Sequence, residues 1–133
     1  STNTANSSGG ADVANLYGAA SATTVTGAYS GTRIQGTASS GRSFDTTANA
    51  FAALTYYSGG AADQVALADS SASDRLDAMS VWGKLTYADR TISMYNLSRL
   101  ARVVATSSHG GADKKHVLAT DYVLQTVGPW TDV

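Results

Sequence analysis

"GGAADQVALADSSASDRL", residues 59–76, decides how this chain is read. A glycine pair leads to Asp63. Val65 and Leu67 then alternate with Gln64, Ala66 and Ala68. A knot of Asp and Ser runs from Asp69 to Asp74, and a second alternation follows at Leu76, Asp77 and Ala78. Period-two alternation marks a strand with one face turned inward. Glycine pairs and Asp-Ser knots mark turns, because Gly tolerates positive φ and short polar side chains bond nearby backbone N–H groups.

The phrase recurs. "GGADVANLYG" starts at Gly9 and "GGADKKHVLA" at Gly110, with marker aspartates Asp12, Asp63 and Asp113 spaced 51 and 50 residues apart. A period near fifty is the mark of a repeat architecture. "SDRLDAMSVW" (73–82) aligns with "TDYVLQTVGPW" (120–130), which places Trp82 and Trp130 in one repeat slot. The predicted organisation is a polar linker over 1–8, then one domain over 9–133. Its copies are 9–58, 59–108 and a terminal cap, 109–133, that contains Pro129. Pro cannot donate to a β ladder and suits such an end. Asp12, Asp63, Asp113, Trp82 and Trp130 are the expected structural residues.

Composition points the same way. The chain has 133 residues, enough for one domain. Val, Ile, Leu and Phe make up about a sixth of it, the net charge is −1 and only 14% of residues are charged. Disorder usually couples few large apolar residues with high net charge, so a folded chain with a thin core fits better. All ten acidic residues are Asp, which favours turns over helices. No cysteine is present, so disulfides and thiolate metal sites are excluded. No apolar run reaches the ~18 residues of a membrane helix. Basic residues are too scattered for a nucleic-acid surface. The expected fold is all-β: a short parallel β-helix or β-solenoid of about 2.5 repeats, with two coils of roughly 25 residues per repeat. Residues 44–55 and 90–104 leave one or two short helices open. Phe44, Ala48, Phe51 and Ala52, and Met94, Leu97, Ala101 and Val104, stand at helical spacing.

"GGADVANLYGAASATT" and "SFDTTANAFAAL" resemble, in order, two phrases of the ~50-residue tandem repeats of giant secreted bacterial surface proteins. "ADQVALADSSASDRLDAMSVWGKL" and the closing "GADKKHVLATDYVLQTVGPWTDV" are similar to the C-terminal variant of those repeats. The resemblance spans Gly9 to Val133. It departs from the pattern at Gly18 and Thr23, which stand where the family has Asp. It implies a secreted or cell-surface, elongated, non-catalytic β-solenoid, and no catalytic set.

Three chemistries were weighed on the residues. The first is calcium, with Asp63, Asp69 and Asp74 as candidate ligands. "GGAADQVAL" lacks the third glycine of the nonapeptide calcium repeat, however, and "DSSASD" lacks both the Gly and the Glu of an EF-hand. Turn-fixing by these carboxylates is the favoured reading, so no cofactor is expected, with calcium as the remaining candidate. The second is hydrolysis by Ser107 or Ser108 with His109, or metal binding by His109, Asp113 and His116; no nucleophile elbow accompanies them. The third is sugar chemistry on paired carboxylates (Asp74 with Asp77, Asp63 with Asp69), with Arg75, Lys84, Tyr87 and Arg90 lining a groove. Of the adjacent Tyr56 and Tyr57, one should face the core and the other solvent. Asn6 and Asn96 head glycosylation-type triplets.

The function expected is that of a non-catalytic structural or adhesive module, not an enzyme. Its partners would be itself or neighbouring repeats through the solenoid ends, with glycans as a further partner. The alternative is a carbohydrate-binding or carbohydrate-processing β-helix, which an exposed aromatic row along one face would favour.

Overall fold

Gln64–Ala68 shows how literally the alternation is realised: Val65 and Leu67 are buried, while Gln64 and Ala66 are exposed. A computed structural model describes residues 2–133, and all of its regular elements are strands. They are β1 (Thr2–Asn6), β2 (Val13–Tyr17), β3 (Thr24–Ala28), β4 (Gly31–Thr37), β5 (Ser43–Asn49), β6 (Ala53–Tyr57) and β7 (Gln64–Ala68). The remainder are β8 (Arg75–Ser80), β9 (Trp82–Thr86), β10 (Thr91–Tyr95), β11 (Arg102–Thr106), β12 (Lys114–Thr120), β13 (Val123–Val127) and β14 (Thr131–Asp132). They form two seven-stranded sheets: sheet one in the order β1-β5-β4-β3-β7-β11-β13, and sheet two in the order β14-β12-β8-β9-β10-β6-β2. The architecture is a β-solenoid, as the sequence predicts, but of about three turns with a coil step near forty residues, not two coils of roughly 25 residues per repeat.

The chain crosses sheet two on β2, β6 and β10 and returns through sheet one on β3, β7 and β11. Each set stacks in parallel and in register. Val13 pairs with Ala53 and Ala53 with Thr91; Thr24 pairs with Gln64 and Gln64 with Arg102. Two antiparallel meanders, β3-β4-β5 in sheet one and β8-β9-β10 in sheet two, interrupt the parallel stacking. Inward side chains fill one narrow core that includes Val25, Leu54, Tyr56, Leu67, Leu76, Leu85, Met94 and Val103.

The register corrects the fifty-residue alignment. Stacked partners lie about forty residues apart: Thr23 meets Asp63 across 40 residues and Asp74 meets Asp113 across 39. The three marker aspartates are not equivalent, because Asp12 and Asp113 precede strands of sheet two whereas Asp63 precedes a strand of sheet one. Similar turn chemistry at the ends of both sheets makes different turns look like copies of one. Nor do the two tryptophans share a slot. Trp82 opens the antiparallel β9 opposite Met79. Trp130 lies in the turn before β14, packs on the core and donates Nε1–H to the Ala105 carbonyl at 3.2 Å.

Both helix alternatives are overturned. Residues 44–55 belong to β5, a turn and the start of β6; residues 90–104 belong to β10, a turn and β11. The reason is geometric: a spacing of four is even, so Phe44 and Ala48 share a face of a strand as readily as of a helix. The segment read as a linker also differs. Thr2–Asn6 pairs with β5, and Asn49 Nδ2 donates to Asn6 Oδ1 at 2.9 Å. All five residues are exposed, so β1 adds a strand without adding to the core. Ser1 lies outside the described residues.

Candidate functional site: aspartate clasps and an aromatic row

Several turns are closed by an aspartate, and in two of them the phrase Ser-x4-Asp supplies the geometry. Ser7 Oγ donates to Asp12 Oδ2 at 2.8 Å, and Ser58 Oγ donates to Asp63 Oδ2 at 2.7 Å. Asp63, wholly buried, also accepts the Tyr56 hydroxyl at 2.6 Å and the Thr23 N–H at 2.9 Å from the neighbouring coil. Burial first, and the Asp63 hydrogen bond second, push the Tyr56 phenol above its ordinary range. Thr23 accepts the Ala19 N–H with its hydroxyl at 3.1 Å, a short-range cap of the kind Asp74 gives Ser70. The third phrase is different. Ser108 does not reach Asp113; its Oγ lies 3.4 Å from His109 Nδ1. Asp113 accepts the Asp74 N–H through Oδ1 at 2.8 Å, and its Oδ2 has no partner among the described residues although the side chain is buried.

Asp69 makes a clasp between coils. It accepts the N–H groups of Ser108 and His109 at 2.9 and 2.8 Å, and His109 Nδ1 approaches its other oxygen to 2.6 Å. Burial pushes this carboxyl up, but the His109 and Ser108 hydrogen bonds outweigh it and hold it below the usual range. A carboxylate depressed in the folded state stabilises the fold above its unfolded pKa of ~3.9 and loses that contribution as pH falls through the lower folded value. Asp74 acts in the opposite sense: burial, with the charges of Asp113 and Asp69, raises it. His109→Ala should therefore lose stability at higher pH than the wild type as acid is added. The expected cost is about 0.5–1 kcal/mol near neutrality, since the imidazole is more than half exposed. Thermal melts between about pH 6 and pH 3 check this; superimposable curves would remove the clasp from the account.

The calcium candidates are thus scattered over separate clasps. Asp63 is saturated by three donors, Asp69 by His109 and Ser108, and Asp74 by Ser70. Among the described residues, no group of three or more His or Asp side chains is placed to hold a metal ion. Ser108, His109 and Asp69 come together but not as a triad. Serine and carboxylate both approach Nδ1, whereas a relay needs them on opposite ring nitrogens. His116 is engaged elsewhere, 3.1 Å from the Val133 carbonyl. Of the residues expected to line a sugar groove, Tyr87 is buried and donates to the Ala68 carbonyl at 2.7 Å. Arg90 lies 4.0 Å from the Tyr29 ring centroid. Arg75 pairs with Asp77.

A feature that reading one strand at a time misses lies on the outer face of sheet two. Tyr56 points into the core and Tyr57 out, as alternation requires. The register sets Tyr57 between Tyr17 and Tyr95. Their rings stack, with centroids 5.0 and 5.7 Å apart and planes inclined by 13° and 21°. Trp82 takes the next place in the row, one residue beyond the Gly83–Met94 pair, and Met79 lies opposite it. Beside it runs a polar row, two residues from the aromatic one along each strand: Asn15, Thr55, Ser93, Lys84, Asp77 and His116. The only sequence signal for the aromatic row is a tyrosine closing each of three strands, at 17, 57 and 95, and it becomes visible once the forty-residue step is known.

The N-terminal end of the stack is open. Among the described residues, β1 and β2 are the edge strands there, each paired on one side only. Tyr17 and Val13, at 66% and 61% exposure, lie on that edge. No protein-family model, curated protein or solved structure matches this chain.

Proposed function

We propose that this chain is a non-catalytic structural or adhesive module of a secreted or cell-surface repeat protein, extending through its solenoid ends into neighbouring repeats or a second copy. The observation that carries this reading is the open N-terminal end. β1 is exposed on both faces and β2 presents an unpaired edge beside two large apolar side chains. Unpaired N–H and C=O groups along a flat edge are a template for a further strand. A solenoid coil lacking a neighbour or cap leaves such groups uncovered. Direct evidence would come from sedimentation velocity over a range of concentrations. The wild type should associate as concentration rises. Val13→Lys, which sets a charge on the β2 edge, should stay monomeric. A wild type that is monomeric throughout would argue that this end caps itself.

A further inference from the structure

The adhesive half of the proposed function leaves its ligand unnamed, and the outer face of sheet two supplies one. We infer that the row Tyr17, Tyr57, Tyr95 and Trp82 is a binding platform for an extended, uncharged polysaccharide that runs across the strands. This rests on the reading of the chain as an adhesive module and adds to it a ligand class and a site.

Three observations carry the inference. First, the aromatic side chains occupy one register place on four consecutive strands, so they recur at the inter-strand step of ~4.8 Å. That step is close to the length of one pyranose unit in an extended chain, and three steps, roughly 15 Å, span about four sugars. Second, the rings stack on one another, which leaves their edges along the row and a ring face at its Tyr17 end for a ligand to meet. Tyr17 and Tyr95 are 66% and 39% exposed. The C–H face of a pyranose carries partial positive charge, which suits the negative face of an aromatic ring. Third, the adjoining polar row offers Asn15, Thr55 and Ser93, whose side chains make no hydrogen bond among the described residues. A sugar lying on the rings would set its hydroxyls beside an amide and two hydroxyls at the same one-strand step, the pairing of apolar surface with a few placed polar groups that defines a ligand site. These three residues are uncharged, and the charged Lys84 and Asp77 lie further along the row, beyond Ser93, so the stretch beside the tyrosines suits a neutral chain.

A second copy is the rival occupant, but strand addition uses the edge of β2 and not this face. Apart from Tyr17 on the edge strand β2, the aromatic row lies within the sheet, where its backbone groups are already paired.

The test is a fluorescence titration with cellohexaose and, separately, chitohexaose, with Trp82 reporting. A saturable change is expected with at least one of them. Tyr57→Ala, which removes the central ring, should weaken binding at least tenfold. Thr55→Val keeps shape and strand preference and should weaken it about three- to tenfold. Arg33→Ala, on the opposite sheet, should leave binding unchanged. The inference is overturned if neither hexasaccharide gives a saturable signal, or if Tyr57→Ala and Thr55→Val both bind like the wild type. It is also overturned if Tyr57→Ala abolishes self-association instead of sugar binding, because the row would then be a contact between copies. Val13→Lys separates the two ideas. It tests the open end by sedimentation and should bind sugar normally, so failure of either leaves the other standing.

Discussion

Asp63→Ala should lower the melting temperature by well over 10 °C, the largest single-residue effect expected in this chain. The carboxylate has no solvent exposure and accepts three hydrogen bonds, from Tyr56, Ser58 and the Thr23 backbone. Alanine leaves three donors without their acceptor, two of them on well-buried side chains. Each unsatisfied buried group costs ~1–3 kcal/mol, and removing the carboxylate recovers some of its own desolvation cost, so a net loss of about 3–6 kcal/mol follows. A domain of this size has roughly 5–15 kcal/mol of stability in all, and each kcal/mol moves the midpoint by about 3–6 °C. Asp113→Ala is the internal comparison. It also closes a turn and is buried, but it accepts one hydrogen bond and has an oxygen without a partner. Its loss should cost only about 1–2 kcal/mol. Equal midpoints for the two variants, read by thermal or urea melts, would show that the three-donor network around Asp63 is not what stabilises its turn.

Gly111→Ala should be strongly damaging and Gly60→Ala mild, although both glycines sit in "GG" phrases with nearly the same φ, +84° and +85°. The left-handed conformation costs any Cβ-bearing residue about 1–2 kcal/mol. At Gly60 nothing lies within 4 Å of the added methyl, so that cost is the whole effect. At Gly111 the methyl would be driven into the Ala72 carbonyl, which belongs to the backbone of the adjoining coil and cannot swing away. Overpacking of this kind adds about 1–3 kcal/mol, for a total of roughly 2–5. Chemical denaturation of the two variants side by side tests the close approach of the coils at this turn. Near-identical midpoints would mean that the coils are further apart here than described.

What could be read without the fold was local. Alternation at Val65 and Leu67, the Gly and Asp-Ser turns, and the shortage of large apolar residues all led to strands, turns and a thin core, and so to a β-solenoid. These signals act over a few residues, through backbone conformation and the two-residue repeat of a strand. The opposite facing of Tyr56 and Tyr57 followed from the same rule. The two helix alternatives persisted because an apolar spacing of four satisfies both periods, and only pairing with β4, β6 and β9 resolves Phe44, Ala48 and Met94 into strands.

The stacking step belonged to the tertiary structure. "SSGGAD" at Ser7 and "SGGAAD" at Ser58 close turns by the same Ser-to-Asp bond, yet one turn precedes sheet two and the other sheet one. Local chemistry does not record which sheet a turn feeds. That depends on the meanders β3-β4-β5 and β8-β9-β10, which change how much chain separates stacked strands. The aromatic row depends on the same choice: Tyr17, Tyr57 and Tyr95 become neighbours only when strands about forty residues apart lie in register. Sequence by itself determined many of the strands and turns and the class of fold. Inter-strand pairing, which is non-local, decided which turns are equivalent, which aspartates share a coil boundary and where aromatic side chains gather on the surface.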